Sequence, residues 1–232
     1  MSTPQIQNLS NVVIFSSLTP EQRRDFEISC RWRRFGPNEQ IIDQNDDSKE
    51  VYFITRGRVR VVNYTISGKE VALEDLKEGD CFGELAALDG RPRSSSVMAL
   101  VDSDVAKIAP DRFIKVTRQH PDVAFAVMLK MSRIIRSSTE RIIDLSTLGA
   151  NNRVHGELLR QAREGTKIDN TAVIKPIPVH SDMASRASTT RETVARVISD
   201  LTKKGVVKRE KDSLLICDVA TLESIVEEVR GF

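Results

Sequence analysis

Between Arg34 and about Lys107 the chain is broken every few residues by a turn signal, and beyond Pro110 it is not. That contrast limits the fold more than any other feature. Ile41-Ile42, Val51 to Ile54, Arg58 to Val62, Val71 to Leu73, Ser96 to Leu100 and Val105 to Ile108 are short β-like runs. Gly36-Pro37, Asn45 to Asp47, Gly57, Ser67-Gly68 and Glu78 to Asp80 separate them. Short strands at such close spacing predict an antiparallel sandwich or roll. A short helix from Thr19 to Ile28 precedes them, with Thr19 as N-cap and Pro20 at its first position.

From Pro110 the pattern is helical to about Leu148, with a break near Pro121. Met128, Met131, Ile135, Ser138, Ile142 and Leu145 recur at alternating spacings of three and four. This heptad seam predicts a helix that packs along its length in a dimer. Ser138 is the polar member of the stripe, followed by Thr139. A hydroxyl there can fix register, bond back to its own helix or face a ligand, and spacing leaves the three open.

The remainder reads as a helix from Arg153 to Arg163, a turn over Gly165 to Asn170 and a strand at Val173-Ile174. His180 to Ala187 forms a short helix with Ser181 as its cap, Ser188-Thr189 turns, and Thr190 to Lys204 forms the next helix, closed by Gly205. Val194, Val197, Ile198 and Leu201 mark the buried face of that second helix, so Glu192, Ala195 and Arg196 point away, with Arg191 at the flank. Two short helices, a tight turn and a basic outer face are the helix-turn-helix layout. Glu192 and Arg196 are also spaced as an ordinary i,i+4 ion pair. Lys203 to Lys211, with the β-like Leu214 to Cys217, reads as a wing, and a helix from Ala220 to Val229 ends the chain.

The predicted fold is therefore α+β. An N-terminal antiparallel β-roll occupies residues 1–118, a long dimerisation helix and hinge 119–148, and a C-terminal winged helix-turn-helix 149–232, with the helix-turn-helix at about 180–204. A length of 232 residues suits two domains. The net charge of +2 is unremarkable, but Asn151 to Lys211 carries a clear basic excess, as a DNA-binding module beside a neutral one should.

No run approaches the roughly 18 apolar residues of a membrane helix, and Met1 to Ser10 lacks the layout of a signal peptide. A cytoplasmic protein without membrane contact is expected. Cys30, Cys81 and Cys217 are far apart, as are His120, His155 and His180, which predicts reduced thiols and no metal site. With no ligand cluster, His-Asp pair or nucleophile motif, the chain is not expected to be an enzyme, and no residue is assigned a catalytic role.

The stretch from Gly79 to Val97 carries the most chemistry. Gly83 permits close approach of a ligand to backbone, and Glu84 to Ala87 can open a short helix whose first N–H groups attract an anion. Arg93 offers a planar guanidinium for two parallel bonds to phosphate oxygens. Glu84 would repel phosphate but can accept from a sugar hydroxyl. Phosphate, ribose and a short helix between them imply a nucleotide.

Phe82 to Leu88 (FGELAAL) followed by Arg91 to Val97 (RPRSSSV) resembles the phosphate-binding cassette of cyclic-nucleotide-binding domains. Thr190-Arg191-Glu192-Thr193-Val194-x-Arg196 resembles the recognition helix of the CRP/FNR superfamily of transcription regulators, within it the cAMP-receptor branch. The resemblance runs from about Leu18 to Val229 and implies a homodimer that binds a cyclic nucleotide and double-stranded DNA, with RNA polymerase as a further partner. It implies that Gly83, Glu84, Leu85, Ala86, Arg93 and Ser94 hold the cyclic phosphate and the ribose 2′-hydroxyl, and that Ser138 and Thr139 meet the purine from the dimer helices. It gives Arg191 and Arg196 to guanine edges, Glu192 to a cytosine amino group, and His180, Thr190 and Thr193 to phosphates, over a palindrome of TGTGA-like half-sites.

The expected effector is cAMP, with cGMP as second ligand. In the domains it resembles, a hydroxyl after the cassette arginine, as at Ser94, can bond the amino group of a syn guanine, and a serine there is also compatible with adenine. The segment from Glu84 to Arg93 is also a residue shorter than in the cAMP-receptor branch and ends in Pro92-Arg93, as in regulatory subunits of cyclic-nucleotide-dependent kinases. A cassette this complete argues against haem, and a single N-terminal cysteine, Cys30, against an iron–sulfur cluster. The rival within the family is a regulator active without ligand, or one selective for cGMP.

Overall fold

The computed structural model describes residues 7–230 apart from Ser67 and Lys69. It divides into two compact units, Met1–Ile134 and Ile135–Phe232.

In the first unit a short 3-10 turn (Val13–Phe15) precedes helix α1 (Pro20–Glu27), where the Thr19 side chain accepts from Gln22 N and the Gln22 side chain accepts from Thr19 N. This reciprocal capping box satisfies two N–H groups that a helix start leaves unpaired. Eight strands follow: β1 (Arg31–Phe35), β2 (Gln40–Ile42), β3 (Val51–Arg56), β4 (Arg58–Tyr64), β5 (Glu70–Lys77), β6 (Cys81–Phe82), β7 (Ser96–Ala99) and β8 (Ser103–Ile108). They form two antiparallel four-stranded sheets in the orders β1-β8-β3-β6 and β2-β7-β4-β5. Between them lie Phe35, Ile42, Tyr52, Ile54, Val59 and Val97. The β3–β4 reversal requires Gly57, at φ +99°, where a Cβ would stand 2.6 Å from the Asp102 carbonyl oxygen. The antiparallel roll expected from the turn spacing is thus present.

Several strands escape the sequence reading, the two-residue β6 among them. β1 holds three arginines in five residues, which conceals an edge strand; Arg34 and Arg56 turn onto the fully buried Asp104 of β8 at 2.7 and 3.1 Å. Residues 165–170, expected as a plain turn, contain β9 (Thr166–Ile168), which pairs with β10 (Thr171–Ile174).

Helix α2 (Glu84–Asp89) lies between β6 and β7, and α3 (Pro110–Gln119) and α4 (Pro121–Thr147) follow β8, divided at His120-Pro121 as expected. Along α4, Met128, Ile135, Ile142 and Leu145 are each more than half exposed, so the apolar seam lies uncovered in the single chain. No helix among the described residues is long and apolar enough to cross a membrane.

The second unit packs α5 (Ala150–Glu164), α6 (His180–Arg186), α7 (Arg191–Lys203) and α8 (Val219–Arg230) around Leu158, Met183, Val194, Leu201 and Leu222. β11 (Val207–Arg209) and β12 (Leu214–Ile216) extend β9 and β10 into a four-stranded sheet, β11-β12-β10-β9. This is the winged helix-turn-helix. One expectation fails locally: α6 is capped at Val179, whose carbonyl accepts from Asp182 N and Met183 N, while the Ser181 hydroxyl donates to the neighbouring Asp182 carboxylate.

Candidate functional site

Strand β6 delivers the chain to Gly83 at φ +81°, and α2 begins at the next residue. A Cβ at Gly83 would stand 2.7 Å from Arg93 Nη1 and 2.9 Å from the Glu50 carbonyl oxygen. Both the left-handed backbone and the space therefore demand glycine.

Arg93 is buried, and its guanidinium is the hub of the site. Nε donates to Ser48 Oγ at 3.0 Å, Nη1 to the Gly83 carbonyl at 2.9 Å and Nη2 to the Glu50 carbonyl at 2.8 Å. Its backbone is pinned as well, by Arg93 N to the Asp46 carbonyl and Asn45 N to the Arg93 carbonyl. The Tyr52 ring, stacked on Phe82 at 5.0 Å, lies 5.8 Å below the guanidinium. Burial pulls the pKa of Arg93 down, but a guanidinium stays charged at neutral pH. Burial works against the Glu50 carboxylate too, yet its own backbone N–H, Lys107 and Arg93 hold its pKa below the usual value. The remaining N–H groups of Arg93 form a fixed cation suited to an oxyanion.

Glu84, at the start of α2, is almost fully buried. Lys130 of α4 bonds its Oε1 at 2.9 Å and also donates to the Cys81 carbonyl. Burial works against the Lys130 charge, but Cys81 and Glu84 beside it raise its pKa above the ordinary value. Burial pushes the Cys81 thiol up to about 11. The other oxygen, Glu84 Oε2, is buried without a hydrogen-bond partner. A shielded carboxylate oxygen in that state calls for a donor, and a ribose hydroxyl fits. Leu85 and Ser94 are exposed and Ala86 is buried.

The six cassette residues thus gather in the first unit. Ser138 and Thr139 belong to the second, both exposed on α4, with Thr139 Oγ1 donating to its own helix at the Ile135 carbonyl, 2.9 Å away. Lys130, Ser48, Glu50 and Tyr52 were not foreseen. A lysine between the second and third turns of an amphipathic helix looks like any solvated charge, and Ser48 sits in an ordinary turn.

In the second unit Thr190 is the N-cap of α7, its hydroxyl accepting from Thr193 N at 3.2 Å. Val194, Val197 and Leu201 are buried, and Arg191, Glu192, Ala195 and Arg196 are exposed, as the 3.6-residue period requires. Arg196 donates to Asn151 Oδ1 at 3.3 Å and forms no ion pair with Glu192 among the described residues. His180 is the first residue of α6. The turn between the helices is held by Arg153, which donates to the carbonyls of Leu148, Ala187 and Ser188 at 2.8 to 2.9 Å. Beneath it runs a buried charge chain: Asp144 of α4 to Arg160 at 3.4 Å, Arg160 to Glu157, and Glu157 to Arg186 of α6 at 3.6 Å. The exposed face of α7, flanked by Lys208 and Arg209 of β11, offers donors and an acceptor to base edges and cations to phosphates.

Comparison with known proteins places each unit. Residues 32–120 match the cyclic nucleotide-binding domain, and residues 152–225 the Crp-like helix-turn-helix domain. The cyclic AMP receptor protein of Thermus thermophilus is 31% identical over 213 residues, which cover 91% of this chain and 95% of that protein. The cAMP-activated global transcriptional regulator CRP of Escherichia coli O157:H7 is 23% identical over 188 residues, 81% of this chain and 90% of that one. A CooA mutant from Carboxydothermus hydrogenoformans has a similar fold, with a TM-score of 0.80 at 20% identity over 93% of this chain and 95% of that one.

Proposed function

The chain belongs to the CRP/FNR family of cyclic-nucleotide-binding transcription regulators, and from that premise we propose that it is a homodimer whose DNA binding is controlled by cAMP, with cGMP as a second effector. One observation carries the nucleotide reading: the buried, unpartnered Glu84 Oε2 stands on the residue after Gly83, whose carbonyl Arg93 grips. Arg93, with the backbone around Gly83, Leu85 and Ala86 and the Ser94 hydroxyl, holds the cyclic phosphate. Glu84 Oε2 accepts the ribose 2′-hydroxyl. Ser138 and Thr139 of both subunits meet the purine, and the uncovered seam from Met128 to Leu145 closes the dimer on itself.

Such a dimer carries two α7 helices, which suits a palindrome of TGTGA-like half-sites about one helical turn apart. Arg191 and Arg196 read guanine and Glu192 reads cytosine, while His180, Thr190 and Thr193 contact phosphates. RNA polymerase is the further partner. A coupling of roughly 1–3 kcal/mol between nucleotide and DNA gives useful control.

The test is operator binding by the full-length protein with cAMP, cGMP or neither, at fixed salt. Tighter binding with cAMP is expected. Equal affinity in all three conditions would overturn ligand control and favour a regulator active without ligand; a response to cGMP alone would reassign the effector.

A further inference from the structure

Strand β4 pairs with β7 from Val59 opposite Ala99 to Val62 opposite Ser96, and Asn63 follows directly, paired with Val71 of β5 beyond a register shift between Val61 and Val62. Val59 and Val61 pack into the apolar interior of the roll with Tyr52, Phe82 and Val97. Asn63 is the polar residue that follows this apolar stretch of β4. Its Nδ2 donates to the Ser94 carbonyl at 3.5 Å, and its Oδ1 is buried with no hydrogen-bond partner.

The two ends of this amide are unequal. Turning it over would set Oδ1 against the Ser94 carbonyl oxygen, acceptor against acceptor, so the surroundings fix Oδ1 as the end presented. An acceptor shut from water without a donor is costly, so Oδ1 is suited to a donor that a ligand brings. Here the single bond is long, and the shielded oxygen has none. Ser94, to which the amide is tied, directly follows Arg93, and its exposed hydroxyl forms no hydrogen bond among the described residues. The Asn63 amide is thus tied to the backbone of the residue that follows the phosphate-binding arginine, with its Oδ1 and the Ser94 hydroxyl both without an internal donor among the described residues.

What they can take follows from purine geometry. A base turned syn about its glycosidic bond lays its 2-position back over the cyclic phosphate. Guanine carries an amino group there; adenine carries only a C–H. That amino group has two hydrogens, and Asn63 Oδ1 with Ser94 Oγ supplies two acceptors. Resting on the assignment of Arg93 and Glu84 to a cyclic nucleotide, we infer that Asn63 is a specificity-determining residue: with Ser94 it accepts the 2-amino group of a syn guanine, giving the pocket a cGMP binding mode closed to cAMP.

Calorimetric titration of the full-length protein with cGMP, cIMP and cAMP tests this, since cIMP is cGMP without the 2-amino group. The native protein should bind cGMP about tenfold tighter than cIMP, the effect of one or two hydrogen bonds. Asn63→Leu should bring that ratio close to one by weakening cGMP alone, with cAMP affinity unchanged within about twofold. Asn63→Ala is the second variant if leucine does not fold, and the native cGMP-to-cIMP comparison needs no variant. Equal affinity for cGMP and cIMP in the native protein, or a preference that survives in the variant, would overturn the role of Asn63. Failure of all three nucleotides to bind would overturn the nucleotide site itself, and the role of Asn63 with it.

Discussion

Lys130 Nζ stands 2.9 Å from Glu84 Oε1, so the carboxylate assigned to the ribose is anchored by a cation from helix α4. The same ammonium also holds the Cys81 carbonyl two residues before Gly83. The start of the cassette and the helix that bears the apolar seam therefore meet at one side chain.

Removing the cation alone leaves a buried charge uncompensated. Lys130→Met should lower the stability of the first unit by roughly 3–5 kcal/mol, as breaking other buried pairs does. Lys130→Met combined with Glu84→Gln should recover much of that loss, because no lone charge remains. Urea unfolding of the two single variants and the double one checks this. Additive losses would show that the two side chains are energetically independent.

Arg93 has two duties, and its variants should separate them. Ser48 Oγ and the carbonyls of Gly83 and Glu50 all depend on it. Arg93→Ala should abolish cyclic-nucleotide binding and also destabilise the first unit, at about 1–3 kcal/mol for each acceptor left unsatisfied. Arg93→Lys keeps the charge but not the planar fork, so it should lose binding nearly as fully with a smaller loss of stability. Calorimetry for ligand and thermal unfolding for stability read the two effects independently.

On the DNA face, base reading and phosphate contact should respond differently. Arg191→Ala should cost about 1–3 kcal/mol on the native operator and little on an operator whose guanine is already changed. Lys208→Ala should weaken binding to every sequence alike and reduce the salt slope by about one. Anisotropy titrations on native and substituted operators over a salt series distinguish them; a uniform loss from Arg191→Ala would count against base reading.

Local patterns made much of this legible in the sequence. Alternation and turn residues located β3, β4, β5, β7 and β8, the proline at 121 divided α3 from α4, and the period of α7 placed Arg191 and Arg196 outward. The cassette was legible because its residues are close in sequence. What stayed hidden depends on partners distant along the chain. Nothing in Arg31-Trp32-Arg33-Arg34-Phe35 announces a strand until Arg34 meets the buried Asp104. Lys130 and Glu84 are separated by β7, β8 and α3. Arg93 reads from sequence as a ligand group only, and its grip on Gly83 and Glu50 emerges once β3 lies beside β6.

The second unit should carry a pH dependence set by His155 of α5. Burial first, and then the Lys204 charge, push its pKa below the ordinary 6.5, and its Nδ1 is buried without a partner. The folded state therefore resists protonation more than the unfolded chain, which takes up the proton first as pH falls. Stability from this residue is complete while both states are neutral, above 6.5, and is lost as pH drops through that value towards the lower folded-state pKa. Lys204 closes α7, so protonation sets a second cation beside the end of the helix assigned to base reading. Thermal unfolding of the second unit between about pH 7.5 and 5.5 should fall more steeply in the native protein than in His155→Gln, which cannot take the proton. Parallel curves for the two proteins would remove His155 as the source.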